Sequence, residues 1–354
     1  MRTFVMGDPQ APFSKVLEVL DRHDALAGDR LAGDVTLVSI GDHFDYDHRD
    51  PVTASREGVR LLRWLADHDP HQARILFGNH DAARVMELAT IDDAEFAAAR
   101  ALAIEIDAGT RTPAEFRAAF PELPPHGVIG RDYASFTAEQ RALVIDVLLA
   151  GRFELAIVGE LAGRDVLLTH AGVTSREVAM LGCTAEPSAL AAALAHHFVA
   201  AIDGVRSEWQ RGALAPLSLE PLHVAGGAGE EGGGLLYHRP SNPASGSTFH
   251  PTRPRRFDPR ALPAGLAQIA GHSGHAKCVA ELGAWVTDAA RARKHGGIRT
   301  LKVAADVTYD LGVAIDDATV TAMILVDGEL RRVPASEVAL LALGTVYTNE
   351  TCDA

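Results

Sequence analysis

The chain has 354 residues, 47% of them hydrophobic, and a formal net charge of −14 at pH 7. This length can bury a substantial core, and the hydrophobic fraction is ordinary for a globular protein. The acidic balance argues against binding a nucleic-acid backbone through basic patches. A phosphorylated substrate remains compatible with it, because bound divalent cations reverse the local field.

The cysteines and the apolar runs of the sequence favour a cytoplasmic location. Cys183, Cys278 and Cys352 lie far apart and form no CxxC pair, so a zinc knuckle, a redox dithiol or a disulfide framework is not predicted. The N-terminus lacks the apolar stretch of a cleavable signal peptide, and no uninterrupted apolar run approaches the ~20 residues of a membrane span. We therefore expect a cytoplasmic protein that does not enter the membrane.

The first ninety residues predict three strand–loop–helix units. Short apolar runs at 3–6, 35–40 and 75–77 each end at a glycine. Ser14 could cap a helix after the first run, and Gly58, Leu61, Leu62 and Leu65 have helical spacing after the second. Alternating strands and helices of this kind indicate an α/β architecture.

The rest of the chain is read as part of one domain covering residues 1–354. Residues 86–150, rich in Ala, Glu, Arg and Leu, predict a helical insertion; it could be a lid or specificity element, or only a solvated side-domain. A hairpin is expected to end at Thr169, and a short strand at 267–270. The Gly- and Pro-rich stretch 223–265 predicts long loops, and the C-terminal part is predicted to be rich in β-strands.

Polar side chains follow five of the predicted strands. In parallel sheets, ligands gather beyond the carboxyl ends of the strands. The five pieces are Gly7-Asp8-Pro9-Gln10, Gly41-Asp42-His43-Phe44-Asp45, Gly78-Asn79-His80-Asp81, His170-Ala171-Gly172 and Gly271-His272.

These side chains suit a pair of divalent metal ions. Such a site needs a bridging carboxylate between ions about 3.5–4 Å apart, and Asp42 is the best candidate. Asp8 and Gln10, two residues apart on an extended segment, can point to the same side and hold the first ion. The second ion would be held by Asn79, His170 and His272. Nitrogen and oxygen ligands without thiolate suit manganese, iron, zinc or magnesium.

The five pieces, in this order, resemble the signature of the calcineurin-like metallophosphoesterase superfamily. That signature runs Asp-x-His, Gly-Asp-x-x-Asp, Gly-Asn-His-Asp/Glu and then two separated histidine motifs. The segments 169–173 and 235–240 resemble the phosphoprotein-phosphatase branch, which includes the symmetrical dinucleoside tetraphosphatases. The motifs span residues 8 to 272, and they are specific to the superfamily but not to a substrate.

The resemblance implies a four-layer sandwich of two mixed β-sheets flanked by helices. It implies hydrolysis of phosphomonoesters by a hydroxide activated between two metal ions, with manganese favoured. In the family, the histidine matching His80 protonates the leaving oxygen and the carboxylate matching Asp45 orients it. Arg239 and Asn79 match substrate-binding positions. The expected substrate is a phosphorylated small molecule, a nucleotide or a phosphoprotein.

The sequence departs from the family at three places. Gln10 stands where histidine is usual, and an amide oxygen is a weaker ligand than imidazole. Tyr46-Asp47 replaces an Arg-Gly pair, so one arginine that grips phosphate is missing, and Arg49 or Arg84 could replace it only if the fold allows. His275 lies one residue further from His272 than the usual Gly-His-x-His spacing gives; its role stays open. His43 and His48, in a charge-rich loop, are expected to be solvated.

Two other functions remain open at this stage. A dinucleoside polyphosphate hydrolase or a phosphodiesterase would use the same centre with a different pocket. A catalytically weak binding module on the same fold is the alternative of another class. Gln10 and the missing Arg-Gly pair favour it, whereas His80 and the complete set of ligands for the second ion oppose it.

Overall fold

The computed structural model gives the positions of most of the first 272 residues and of several later strands. The described ranges are 2–22, 24–161, 164–240, 253–257, 263–266, 268–272, 298–300, 302–304, 309–310, 313–314, 321–326 and 329–334.

The helices are α1 (Phe13–Arg22), α2 (Pro51–Ala66), α3 (Asn79–Ala83), α4 (Asp93–Asp107), α5 (Pro113–Ala119), α6 (Ala138–Leu149), α7 (Ser175–Leu181) and α8 (Pro187–Gln210). A turn of π-helix at Val128–Asp132 lies between α5 and α6. The strands up to the last histidine motif are β1 (Arg2–Met6), β2 (Asp8–Gln10), β3 (Leu26–Ala27), β4 (Arg30–Leu31), β5 (Val35–Ser39), β6 (Ala73–Leu76), β7 (Phe153–Glu154), β8 (Ala156–Leu161), β9 (Arg164–Thr169), β10 (His223–Val224), β11 (Gly233–Gly234), β12 (Arg239–Pro240), β13 (Arg256–Phe257) and β14 (Gln268–Ala270). The later strands are β15 (Ile298–Thr300), β16 (Lys302–Ala304), β17 (Tyr309–Asp310), β18 (Val313–Ala314), β19 (Thr321–Val326) and β20 (Glu329–Pro334).

Two mixed sheets form the centre of the fold. The first has the order β18-β17-β1-β5-β6-β7, in which β1, β5, β6 and β7 are parallel and β17 runs antiparallel to β1. The second has the order β15-β14-β9-β8, with β9, β14 and β15 parallel and β8 antiparallel. The predicted strands at 3–6, 35–40 and 75–77 and the predicted hairpin are therefore present, with ends that differ by at most three residues.

The two sheets pack against each other through a layer of aliphatic side chains. Val5, Val38 and Leu76 come from the first sheet, and Ile157, Leu168 and Ile269 come from the second. Alternation along a strand explains the arrangement, since successive side chains point to opposite faces. The neighbours Leu37 and Leu167 belong to a different cluster, together with helical residues.

Helices cover the outer faces of both sheets. On the first sheet α2 contacts β6, and on the second α8 contacts β8 and β9. The predicted four-layer arrangement of two mixed sheets flanked by helices is confirmed. One detail differs: α1 begins at Phe13, so Ser14 is its second residue and not its N-cap. Asp50 caps α2 by accepting a hydrogen bond from the N–H of Thr53.

One helix of the described chain, α8, is long and apolar enough by length and composition alone to cross a membrane. In this fold one side of α8 is buried against the second sheet, through Leu190, Leu194, Phe198 and Ile202. The four-residue spacing along this set places these side chains on one face of the helix, as expected for a helix that covers a core. The absence of a membrane segment stays a prediction.

Residues 86–150 contain α4, α5, the π-helical turn and α6. Leu88, Phe96, Phe116, Ile129 and Phe136 form part of a cluster separate from the core of the sheets. Helix starts in this region carry conventional caps, with Thr112 and Thr137 accepting hydrogen bonds from the N–H groups of Glu115 and Gln140. The predicted helical insertion is therefore present.

The close packing of α2 on the loop after β5 gives a prediction on stability. A Cβ at Gly58 would lie 2.6 Å from Cδ1 of Phe44 and 2.7 Å from the carbonyl oxygen of His43. We expect Gly58→Ala to lower the free energy of unfolding by about 1–3 kcal/mol through overpacking. The matched control is Gly204→Ala in α8, where nothing lies within 4 Å; it should raise that free energy by about 0.5–1 kcal/mol. Urea unfolding of both variants checks this, and equal stabilisation by both would contradict the packing described.

Candidate metal centre and catalytic dyad

Five of the six predicted metal ligands have described side chains, and all five are buried. Asp8, Asp42, Asn79, His170 and His272 follow the strands β1, β5, β6, β9 and β14 within three residues. The parallel strands of each sheet end at the same edge, which brings the five segments together. Gln10 lies in β2, with its side chain outside the described part, and His275 lies outside the described residues.

His170 is the centre of the cluster. Its Nδ1 lies 2.9 Å from the carbonyl oxygen of Ile40, which can only accept a hydrogen bond. Nδ1 therefore donates to Ile40, and in the neutral form of the ring Nε2 carries a lone pair. Nε2 faces Oδ1 of Asn79 at 3.0 Å, Nδ1 of His272 at 3.3 Å and Oδ1 of Asp42 at 3.4 Å.

This donor set fits a divalent cation. Two oxygen atoms face Nε2 of His170: the amide oxygen of Asn79 lies 3.0 Å from it and a carboxylate oxygen of Asp42 lies 3.4 Å from it. Buried acceptors that face one another are unfavourable unless a proton or a cation lies between them. Among the described residues, Asp42, His170 and His272 also offer ligand atoms within 4.8 Å of one another. The hydrogen bond from His170 to Ile40 is the kind of support that orients metal-binding histidines.

Asp8 is held against the cluster by the last histidine motif. Its Oδ2 accepts a hydrogen bond from the backbone N–H of His272 at 2.8 Å. A Cβ at Gly271 would lie 2.2 Å from Oδ1 of Asp8 and 2.6 Å from Cγ2 of Ile40. Only glycine leaves room for Asp8 there, so the Gly-His pair positions a carboxylate as well as an imidazole.

Three site residues have left-handed backbone conformations. The φ angles are +59° at Asp42, +66° at Asp45 and +66° at His272. In the described part of the chain, two other non-glycine residues, Asp24 and Ala228, have positive φ. A residue in this conformation costs about 1–3 kcal/mol and persists where the surroundings hold it. Its concentration here indicates that the fold stabilises a specific arrangement of these side chains.

Beside the cluster, His80 and Asp45 form a hydrogen-bonded dyad. Nδ1 of His80 lies 2.9 Å from Oδ2 of Asp45, and Nε2 of His80 lies 3.9 Å from Oδ2 of Asp42. His80 is the second residue of α3, and its backbone N–H donates to Oδ1 of Asp42 at 2.9 Å. Asp45 thus fixes one ring nitrogen, and the other is directed toward the carboxylate that is the predicted bridge.

The charges around His80 favour its protonated form. Burial of the ring opposes protonation, but the carboxylates of Asp42 and Asp45 outweigh that penalty and raise the pKa of His80 to about 9. For Asp45, burial opposes ionisation, yet the Arg84 guanidinium and the His80 imidazole hold its pKa well below the usual range. The dyad therefore has the character of an imidazolium paired with a carboxylate.

A buried network centred on Asp81 joins the two loops that carry Asp42 and Asn79. Oδ2 of Asp81 accepts from the backbone N–H groups of Asp42 and Gly78, each at 3.0 Å. Nδ1 of His43 lies 2.9 Å from Oδ1 of Asp81, and Nε2 of His43 lies 2.9 Å from the Ser39 hydroxyl. His43 is 2% exposed, so the expectation that it is solvated is wrong, whereas His48 is exposed as expected.

The two arginines considered as replacements for the missing arginine pair with other side chains in the structure. Arg84 is fully buried, and its guanidinium donates to Asp45, to the carbonyl of His80 and to Oε1 of Gln140. The side chain of Arg49 is 82% exposed and pairs with Asp47 on its own loop. The fold therefore uses Arg84 to hold the dyad.

Arg239 lies in β12, whose register partner in β13 is Arg256. Its side chain is half-buried, and Nε has no hydrogen-bond partner among the described residues. Two residues earlier, Tyr237 packs edge-on to His272 with ring centroids 5.6 Å apart. The segment that carries Arg239 therefore reaches the candidate metal site, and the role of Arg239 in substrate binding stays a prediction.

Two tyrosines for which the sequence predicted no role close one side of the site. Tyr133, from the segment after the π-helical turn, packs edge-on to His80 with centroids 5.6 Å apart. Its hydroxyl hydrogen-bonds to the hydroxyl of Tyr237, and the Asn79 side chain also hydrogen-bonds to Tyr237. Tyr237 belongs to the segment 235–240 that resembles the phosphatase branch, so its position was marked although no role was predicted for it. Tyr133 lies in the insertion with no motif around it, and the sequence gives no signal for its role.

Comparison with known proteins gives little beyond this geometry. No family model and no curated protein matches the sequence. A cold-active protein-tyrosine phosphatase of the psychrophile Shewanella sp. is similar in structure with a TM-score of 0.38 and 13% identity, covering 94% of this chain and 80% of that one. A second structure of a cold-active protein tyrosine phosphatase has a TM-score of 0.33 and 11% identity, covering 94% and 78%. At these values the likeness carries no conclusion on activity.

Proposed function

We propose that the protein is a metal-dependent phosphoesterase that hydrolyses phosphomonoesters. One observation carries the proposal: a buried cluster of His170, His272, Asn79 and Asp42 lies next to a His80–Asp45 dyad that is directed at the same Asp42 carboxylate. A cluster that fits a cation and an imidazolium that can supply a proton are the two elements that phosphate ester hydrolysis needs.

The residues divide between two ions, with Asp42 shared. Asn79, His170 and His272 would hold one ion, and Asp8 and Gln10 would hold the other. Ions in such a pair supply electrophilic activation of the phosphoryl group and of the attacking water. The nitrogen and oxygen donors suit manganese, which we favour, and also iron, zinc or magnesium.

In this proposal His80 is the general acid. Asp45 holds Nδ1 through a 2.9 Å hydrogen bond, which leaves the proton on Nε2 available on the side that faces Asp42. A departing alkoxide is a poor leaving group unless it is protonated, so a positioned imidazolium accelerates the cleavage of the P–O bond. Asn79 and Arg239 would donate to the phosphate oxygens, and a guanidinium is well suited to that task.

The substrate would be a phosphorylated small molecule, a nucleotide or a phosphoprotein. The net charge of −14 supports a substrate that is bound through metal ions and individual arginines, without a nucleic-acid backbone as partner. A cytoplasmic location and the absence of membrane association remain part of the proposal.

A substrate panel tests this function. Purified protein with added manganese would be assayed on p-nitrophenyl phosphate, on bis-p-nitrophenyl phosphate and on diadenosine tetraphosphate. Turnover of the monoester, lost on chelation and restored by manganese, is the expected result. Turnover confined to the diester or the dinucleotide would instead support the phosphodiesterase or the dinucleoside polyphosphate hydrolase. The assays would be repeated with iron, zinc and magnesium, and no turnover with any of the four metals would contradict the proposal and favour a binding module.

A further inference from the structure

The Asp45 carboxylate receives hydrogen bonds from two directions. Oδ2 faces Nδ1 of His80 at 2.9 Å and a terminal nitrogen of Arg84 at 2.6 Å. Oδ1 accepts from the backbone N–H of Ser135 at 2.8 Å and from the Ser135 hydroxyl at 2.6 Å. Ser135 is 2% exposed and lies 90 residues further along the chain than Asp45. Both oxygens of the Asp45 carboxylate are therefore held by hydrogen bonds, and the donors to Oδ1 come from the helical insertion.

The direction of the hydroxyl proton of Ser135 follows from its neighbours. An ionised carboxylate can only accept, so the hydroxyl donates to Asp45. The same oxygen lies 3.4 Å from a terminal nitrogen of Arg84 and 3.4 Å from Nε2 of Gln140, which can only donate. Gln140 is fixed in turn, since its Oε1 accepts from Arg84 and its Nε2 donates to Ser55 at 3.1 Å. The Ser135 hydroxyl thus has one orientation in this network.

We infer that Ser135 is a positioning residue for the His80–Asp45 dyad, so that the helical insertion sets the orientation of the acid. With Oδ1 held by Ser135, the plane of the carboxylate is fixed and Oδ2 is directed at His80. Without the hydroxyl, Asp45 keeps Arg84 and one backbone donor but loses a hydrogen bond to a charged group, and the carboxylate can rotate. Hydrogen bonds of this kind are among the stronger ones in proteins.

The alternative is that Ser135 only satisfies a buried carboxylate and stabilises the fold. The two roles differ in their dependence on the leaving group. A misaligned acid slows the cleavage of an alkyl ester, whose leaving oxygen needs a proton, much more than that of a p-nitrophenyl ester, whose leaving phenolate is stable without one. A general loss of stability lowers the active fraction and therefore reduces both rates by the same factor. The inference rests on the proposed phosphoesterase activity.

The test compares Ser135→Ala with Ser55→Ala and Ser135→Thr. Ser55 is buried in the same network and bonds to Gln140 and Thr137, so its variant removes a hydroxyl without removing a donor to Asp45. Ser135→Thr retains the hydroxyl. The kcat of each would be measured with manganese on p-nitrophenyl phosphate and on glycerol phosphate, and bound metal would be measured by elemental analysis.

For Ser135→Ala we expect kcat to fall on the order of tenfold on the alkyl ester and about twofold or less on the aryl ester, with unchanged metal content. Ser55→Ala should show no such difference between the two esters, and Ser135→Thr should recover most of the alkyl ester rate. Equal losses on both esters in Ser135→Ala, or the same selective loss in Ser55→Ala, would overturn the inference about Ser135 and leave the proposed function standing. An inactive wild-type protein would overturn the proposed function as well.

Discussion

Replacing His80 with alanine is expected to lower kcat on a phosphomonoester by about 10²–10⁴-fold, the usual contribution of a general acid. The physical reason is the loss of the proton at Nε2, which the 2.9 Å contact between Nδ1 and Asp45 keeps directed toward Asp42. Steady-state kinetics on glycerol phosphate and p-nitrophenyl phosphate checks this, and the loss should be larger on the alkyl ester. The substituted residue is not a ligand, so the metal content should stay at the wild-type value.

The pH dependence should change in the same variant. Burial opposes protonation of His80, but Asp42 and Asp45 outweigh it and raise its pKa to about 9. Cations bound to Asp42 would lower this pKa by offsetting that carboxylate, whereas Asp45 would still favour the protonated ring. Activity of the metal-loaded protein on the alkyl ester should therefore fall as pH rises through the pKa that His80 has there. In His80→Ala this decline at high pH should be absent. An unchanged kcat, or a high-pH limb that persists in the variant, would show that another group supplies the proton.

The second large effect is expected for Asp42→Asn, which should lose both metal ions and all activity. Asp42 is the only carboxylate within reach of both His170 and His80 among the described contacts, and a neutral amide cannot bridge two cations as a carboxylate does. Elemental analysis after gel filtration in manganese measures the ions per chain. Asp47→Asn, a change two residues after Asp45 at a side chain that pairs with the exposed Arg49, is the matched control and should keep wild-type metal content.

Gln10→Ala is compared with Asp42→Asn, because both residues are proposed metal ligands. Because Gln10 is expected to contact one ion only, its variant should weaken that ion and retain the other. Equal loss of both ions in Gln10→Ala, or full metal content in Asp42→Asn, would contradict the assignment of ligands. The two variants together separate a shared ligand from a ligand of a single ion.

The positions of the predicted ligands could be inferred from the sequence because each one is set by the end of the strand just before it. An apolar run that ends in glycine predicts where a strand stops, and the rule that parallel strands end at one edge then brings Asp42 and Asn79 together. The same reasoning covers His170 and His272 at the ends of β9 and β14. In the structure all four are buried neighbours. Their positions follow from where the strands end.

The support of the dyad could not be predicted, because it depends on contacts between distant segments. Ser135 reaches Asp45 from the insertion, and Arg84 turns inward to join them. Nothing in the local pattern around Ser135 distinguishes it from a loop serine. The prediction that His43 is solvated is wrong for the same reason: its sequence neighbours are charged, but the side chains of Asp81 and Ser39, which hydrogen-bond to it, come from the interior.

The central claim is that Asp42 joins two cations in the pocket formed by these strand ends. The most direct measurement is an anomalous difference map from crystals of the wild-type protein grown with manganese. We predict two peaks about 3.5–4 Å apart, both beside Asp42, with His170 and His272 at one of them and Asp8 at the other. A map with no peak within reach of Asp42, His170 and His272 in metal-replete crystals would contradict the account.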